Sequence, residues 1–397
     1  MTTSQSSGRN GDGAGSWVIE TELPVNFTIR NSPGIFSIGN EDVLGFGGRS
    51  PGRRLIALDQ NLREHYLPQI IEYFRHYQID FKIVPLSVSE ERKDMERLIF
   101  LLTEMEQFGL VRRDEPLIAV GGGVLLDIAG LAANLYRRGI PYIRVPTTLV
   151  GLVDASVGAK TGINFEDRRN RLGTYYPPVA AFLDKSFLKT LASIEISSGL
   201  GEILKMAVIK DRPLFDLLER DGKQLLETKF ADVACADEVI NRATTGMKDE
   251  LQPNLWEKNL ERLVDFGHSF SPIIEMRSIS DKKHEPLTHG QAVALDVMYS
   301  CVISQQRGMM SQADVTRVLK TARQMQLPTC HQLFTEPLHL LEALRDTMKH
   351  RNGAQNLPIP QSIGDPIFVN DLSYDEIKRA AEGFKTINEN LFGSAKS

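Results

Sequence analysis

The first half of the chain alternates short apolar blocks with longer amphipathic ones. Arg54–Asp59, Phe81–Pro85, Pro116–Val120, Tyr142–Val145 and Val179–Asp184 are apolar runs of strand length, whereas Leu62–Tyr77, Ser89–Phe108 and Val124–Arg138 carry apolar residues at helical spacing. Such alternation predicts a largely parallel sheet covered on both faces, a Rossmann-like α/β domain. From about Ser186 onward the pattern changes to long amphipathic stretches with almost no strand signal, which predicts an all-α second domain. The expected division is a disordered tail over residues 1–16, rich in Ser, Gly, Thr and Asn, an α/β domain over 17–188 and a helical domain over 189–397. No long linker or internal repeat intervenes, so the two should pack closely, with a substrate in the cleft between them.

Composition narrows the function classes. A length of 397 residues exceeds the size at which one core usually suffices, in keeping with two domains. With 42% hydrophobic and 24% charged residues the chain reads as an ordinary soluble globular protein. A net charge of −5 without a long basic run argues against nucleic acid or an anionic membrane as partner. Cys235, Cys301 and Cys330 are too widely spaced for a disulfide framework or a CxxC knuckle, which suits a reducing cytoplasm. No apolar stretch approaches the ~20 residues of a membrane helix, and the N-terminus lacks a signal pattern.

Candidate chemistry comes from three places. Ala119-Val120-Gly121-Gly122-Gly123-Val124-Leu125-Leu126-Asp127 puts glycines at a strand-to-helix turn, where a pyrophosphate can approach bare backbone N–H groups. The run is neither GxGxxG nor a Walker loop, and a tight turn without a ligand is its bland reading. Second, Glu202, His268 and His289 supply one carboxylate and two imidazoles, a ligand set for a catalytic divalent metal with a position left for substrate; unrelated histidines are the alternative. Third, the segment Pro146-Thr147-Thr148, Asp154 to Asn164 and Arg168-Arg169-Asn170-Arg171 is dense in hydroxyls, small residues and cations. Cations and backbone donors answer phosphate and Asp or Asn answers hydroxyls, so the segment suits a phosphorylated polyol, or else it is a solvated loop.

These motifs, in this order and spacing from about Leu55 to Asp371, resemble the sugar phosphate cyclases, the superfamily of 3-dehydroquinate synthase. The resemblance implies an NAD-binding N-terminal domain, a helical metal-binding C-terminal domain holding Zn2+ or Co2+, and a cytoplasmic homodimer. It assigns Asp59, Asn61, Glu90 and Lys93 to the adenosine side of NAD, Gly122, Gly123, Val124 and Asp127 to its pyrophosphate and ribose, and Thr147 and Thr148 to the nicotinamide end. Asp154, Lys160, Asn170, Lys205 and Lys248, with Asp265 and His350, become substrate-binding and catalytic groups, with Lys160, Asn170 and either Arg171 or Arg169 on the phosphate. Asp154, Lys160 and Asn170 are implied to face NAD as well. Glu202, His268 and His289 become the metal ligands.

Departures from dehydroquinate synthases point to the branch. Pro272 stands where they have a second His, Asp265 where they have Asn, and His350-Arg351 where they have a Lys pair. Loss of cations suits a substrate without the carboxylate of a heptulosonate. With Leu251, these positions resemble the enzymes that cyclise sedoheptulose 7-phosphate, and among them 2-epi-5-epi-valiolone synthases more than desmethyl-4-deoxygadusol synthases; a 2-epi-valiolone synthase on the same substrate is a further alternative. The implied reaction is transient NAD-dependent oxidation at C5, loss of phosphate, reduction and intramolecular aldol closure. Asp265 is expected either to orient His268 or to bind a substrate hydroxyl. Rival classes are an NAD- and metal-dependent polyol dehydrogenase of the glycerol dehydrogenase type and a binding protein without turnover.

Overall fold

The computed structural model describes residues 16–46, 52–166, 168–231 and 233–393. Of the expected tail, only Ser16 lies among them. In chain order the α/β part runs β1 (Thr28–Asn31), β2 (Arg54–Asp59), α1 (Arg63–His76), β3 (Phe81–Leu86), α2 (Met95–Phe108), β4 (Leu117–Gly121), α3 (Gly123–Leu135), β5 (Tyr142–Pro146), β6 (Lys160–Phe165), β7 (Arg168–Tyr175) and β8 (Ala180–Leu183). Six of these strands form one sheet in the order β1-β8-β5-β4-β2-β3, every pairing parallel. The central strands β2, β4 and β5 are almost wholly buried, as mainly apolar runs require for a sheet covered on both faces; the buried Arg144 of β5 donates to the Ala155 and Gly158 carbonyls.

The helical part consists of α4 (Ser193–Ile209), α5 (Arg212–Glu227), α6 (Ala236–Leu251), α7 (Ser271–Ser280), α8 (His289–Gln306), α9 (Gln312–Gln324), α10 (Pro337–His350), a hairpin of β9 (Leu357–Ser362) and β10 (Asp365–Val369), and α11 (Tyr374–Phe392). Helices α4 and α8 are buried along most of their length and form its central pair. Their core also takes in Leu149, Leu152, Val153 and Val157, from the chain between β5 and β6. The architecture is an α/β sheet followed by helices. Among the described residues no helix is long and apolar enough to cross a membrane.

Three elements depart from the apolar pattern. The polar segment that reads as a binding loop contains the antiparallel hairpin β6–β7. Its second strand is exposed along most of its length, so it carries no alternating signal. Strand β9 has Pro358 and Pro360 within six residues and reads as a loop, yet it pairs with β10. Strand β1 is four largely exposed residues at the sheet edge. The hairpin β6–β7 matters most, because it lies on α3: a Cβ at Gly130 would stand 2.4 Å from Thr161 Cγ2, so glycine permits that contact.

Candidate active site

The metal end is built where α4 crosses α8. A Cβ at Gly201 would lie 2.2 Å from the Gly290 carbonyl oxygen, and one at Gly290 would lie 1.7 Å from the Ser198 carbonyl oxygen. Only two glycines allow the backbones so close. Their chain neighbours, Glu202 and His289, are thereby brought together, with His289 Nε2 3.0 Å from Glu202 Oε1. His268 arrives from the loop before α7, after Gly267 at φ +74°, and its Nε2 is 3.9 Å from the same oxygen. Asp296, fully buried on α8, holds that loop by accepting from the backbone N–H groups of Phe270 at 2.6 Å and Ser271 at 2.9 Å.

One ligand atom from each of Glu202, His268 and His289 lies within 4.8 Å of the others. Both Glu202 oxygens are buried without an aligned hydrogen bond. Lys205 Nζ, one turn along α4, is 2.7 Å from Oε2 in charge contact only. A carboxylate in that condition costs free energy unless a cation completes it, so the residues fit a divalent metal with nitrogen and oxygen ligands.

The charges agree with that fit. Burial alone would raise Glu202, but Lys205 and then His289 hold it well below the usual carboxylate range. Burial, with the Lys205 ammonium beside it, pushes His268 down to about 3, leaving a neutral imidazole. Burial would also lower His289, but Glu275 lifts it to about 9 in the absence of a metal. Burial opposes the charge on Lys205, yet Glu202 and Asp154 raise it above its ordinary value. Burial first, then the Glu202 charge, pushes Asp154 upward toward its neutral form.

The nucleotide end lies at the carboxyl edge of the sheet, where β4 turns into α3. Gly122 is the N-cap of α3 and no side chain caps it, so first-turn N–H groups are left for a ligand. A Cβ at Gly122 would strike the Thr148 methyl at 2.9 Å, whereas one at Gly123, beside Val124, would meet only Ala155 Cβ at 3.5 Å. Thr148 Oγ1 accepts from Gly151 N at 3.0 Å, and Thr147 N donates to Gly121 O at 3.0 Å, so both threonines shape this turn. At the end of β2, Asp59 accepts from Asn61 N at 3.0 Å. Buried Lys93 donates to Asp127 Oδ2 and to Asn170 Oδ1, each at 2.5 Å. These residues fit a dinucleotide lying across the strand ends.

Other expected residues are placed less directly. Lys160 is mostly exposed and pairs with Glu257, which also pairs with Arg262. Asp265 is taken by Arg262 at 2.8 Å and approached by Arg351 at 3.4 Å, while Nδ1 of His268 meets the Phe266 carbonyl at 3.2 Å. The Phe266 carbonyl thus orients the His268 ring, while Asp265 holds the His268 backbone by accepting its N–H at 3.0 Å through its own carbonyl. Leu251 ends α6 facing Gly158. Lys248 is half exposed beside Asp249, Arg171 is exposed on β7, and His350 is 60% exposed, 3.8 Å from Asp346. Sequence reasoning missed Glu275, Glu257, Arg262 and the reach of Arg351. Their spacing carries no motif, and only a map of side-chain contacts finds them.

The family model described as 3-dehydroquinate synthase N-terminal matches residues 83–198, and that described as 3-dehydroquinate synthase C-terminal matches residues 199–350. The chain belongs to the 3-dehydroquinate synthase family. Within it, a 2-epi-5-epi-valiolone synthase of Actinomyces sp. is 44% identical over 383 residues, 94% of this chain and 99% of that one. A demethyl-4-deoxygadusol synthase of Trichormus variabilis is 33% identical over 379 residues, 94% and 90% of the two chains. The solved structure of ValA, the 2-epi-5-epi-valiolone synthase of Streptomyces hygroscopicus subsp. jinggangensis 5008 with NAD+ and Zn2+ bound, superposes with a TM-score of 0.88 at 42% identity, covering 94% of this chain and 100% of that one.

Proposed function

We propose that the protein cyclises sedoheptulose 7-phosphate to 2-epi-5-epi-valiolone with release of phosphate. The observation that carries the reading is the meeting of Glu202, His268 and His289 with buried Lys205, in a chain that aligns almost end to end with valiolone synthases. The site lies between the units read as residues 17–188 and 189–397. NAD at the start of α3 and Zn2+ or Co2+ on the three ligands would supply a reversible hydride acceptor and a Lewis acid.

The chain's own groups do the rest. Lys205, kept charged, presents its ammonium to substrate oxygens. Asp154, pushed toward its neutral form, can hold or return a proton at its carboxyl oxygen while hydroxyl and carbonyl interchange. Lys160, Asn170 and Arg171 on the hairpin β6–β7 hold the phosphate, whose own oxygen takes the C6 proton as it leaves. Arg169 is already committed to Glu90 and Glu275, which leaves Arg171 as the hairpin's phosphate cation. Lys248 and His350 are exposed enough to turn toward a bound substrate. A polyol dehydrogenase could use the same glycine turn and metal set, but Lys205 one turn from Glu202 and the Asp154 to Asn164 segment favour the cyclase.

Incubation with sedoheptulose 7-phosphate, NAD+ and Zn2+ tests the reading, with phosphate release assayed and the product identified by NMR. The expected result is 2-epi-5-epi-valiolone without net NADH. Another epimer or a deoxygadusol would move the branch, turnover of a heptulosonate phosphate instead would make it a dehydroquinate synthase, and net NADH from a diol would favour the dehydrogenase. We further read the protein as a cytoplasmic homodimer feeding a C7-cyclitol pathway. Free Cys235, Cys301 and Cys330 suit a reducing compartment, and light scattering checks the dimer.

A further inference from the structure

Behind the metal ligand His289 stands a carboxylate that has no part in the chemistry above. Glu275 on α7 is 2% exposed, and its Oε2 lies 3.0 Å from His289 Nδ1. Arg169 on β7 donates through Nη1 to the same Glu275 oxygen and also lies 3.1 Å from His289 Nδ1. The other edge of that guanidinium grips Glu90, Nε to Oε1 at 2.9 Å and Nη2 to Oε2 at 3.3 Å. Glu90 sits in the turn after β3, at the carboxyl edge of the sheet, where Asn164 also donates to it at 3.1 Å. Three residues on, Lys93 ties the same turn to Asp127 of α3.

We infer that Arg169 and Glu275 are positioning residues that couple the metal site to the nucleotide crevice. The inference rests on the metal and NAD reading given above. Glu275 sets the tautomer of His289: a carboxylate can only accept, so it favours a proton on Nδ1 and leaves Nε2 bare toward Glu202 and the metal. Without Glu275, the nearest partner of Nδ1 would be Arg169, which can only donate. The proton would then sit on Nε2, and the imidazole could not ligate. Arg169 in turn holds Glu275 in place, and it cannot leave Glu90 without uncovering one of two carboxylates. A metal on His289 therefore fixes Glu275, Arg169 and Glu90 together, and with them the hairpin β6–β7 and the turn at the mouth of the crevice. Linkage is reciprocal, so NAD and metal should each tighten the other.

Binding without substrate tests this. Protein stripped with a chelator is titrated with Zn2+, with Co2+ as a visible-absorbing probe, and with NAD+ in the presence and absence of saturating Zn2+. In the wild type the NAD+ Kd should fall about 5-fold or more when Zn2+ is bound. Glu275→Ala should weaken Zn2+ about 10–100-fold, and Arg169→Ala should weaken Zn2+ although it touches no metal. Arg169→Lys should recover part of the Zn2+ affinity, since it can still meet Glu275, but not the coupling. Glu90→Gln, at a residue also assigned to the NAD side, should weaken NAD+ directly and reduce the coupling factor toward one, while shifting Zn2+ affinity in the absence of NAD+ less than Arg169→Ala does. A wild type without coupling, full coupling in Glu90→Gln, or wild-type Zn2+ affinity in Glu275→Ala would overturn the inference. A wild type that binds Zn2+ no better than His289→Ala, with NAD+ binding intact, would instead remove the metal reading and the relay together.

Discussion

At the N-terminus of α3, Gly123 could carry a methyl group against nothing nearer than Ala155 Cβ at 3.5 Å; where α8 crosses α4, Gly290 could not, because its Cβ would fall 1.7 Å from a carbonyl oxygen of Ser198. Glycine leaves room for a ligand at the nucleotide end and lets two helices touch at the metal end. The nucleotide end can thus be built from one local turn. The metal end exists only once residues from α4, the loop before α7 and α8 have packed. Its geometry is a consequence of core packing, and it should fail when the core is disturbed.

The largest effect expected is His268→Ala. Removing a ligand of a Lewis acid forfeits several kcal/mol of transition-state stabilisation, so turnover should fall by at least about 10³-fold. NAD+ binding, measured by fluorescence quenching, should persist, weakened by no more than the about 5-fold coupling to the metal, because the α3 turn itself does not contain His268. Joint loss of both would mean that the two ends are not separately built.

One substitution made at both ends separates them. Gly290→Ala should cost more than about 3 kcal/mol in denaturant unfolding, because backbone rather than a flexible side chain blocks the methyl group. Gly123→Ala should leave stability within about 1 kcal/mol, since the space is open and Gly123 lies inside α3 without a positive φ. Its cost should appear in NAD+ affinity, about tenfold. Equal destabilisation by both would erase the distinction.

That asymmetry explains what the sequence allowed to be read. The parallel sheet was legible because β2, β4 and β5 are mainly apolar runs of strand length, and the glycine turn because its whole meaning lies within nine consecutive residues. The proposed metal ligands were legible as residue types, supported by family motifs. What packs behind them was not: Glu275 is simply a Glu on a helix until Arg169 and His289 meet it from opposite parts of the chain. The hairpin β6–β7 was opaque for the converse reason, since an exposed strand has no apolar face to announce it.

Asp296 offers a test of the clamp that presents His268. Burial pushes its carboxyl up to about 6 despite the backbone N–H groups of Phe270 and Ser271 that favour its charged form. A folded-state pKa above the unfolded value means that the native state favours the proton. The group therefore contributes stability fully below about pH 4 and loses it as pH rises through about 6. Relative to Asp296→Asn, which does not titrate, the wild type should lose up to about 3 kcal/mol between pH 4 and 7. Parallel pH profiles for the two proteins would show that the clamp is charged throughout.

The smallest effects separate two neighbours that the sequence read together. His350 marks the branch in the motif reading, yet its side chain is 60% exposed, so His350→Ala should change stability by less than about 0.5 kcal/mol. Arg351 is 4% exposed and donates to the carbonyls of Gln355 at 2.6 Å and Asn356 at 3.2 Å while facing Asp265 at 3.4 Å. Arg351→Ala strands those acceptors and removes one of the two cations on a buried carboxylate, which should cost about 2 kcal/mol. Arg262 still holds Asp265, so the loss should fall short of that for an unpaired buried charge. If the two variants unfold at the same denaturant concentration, Arg351 is not what holds Asp265 in place, and the C-terminal end of α10 would matter to the site through His350 alone.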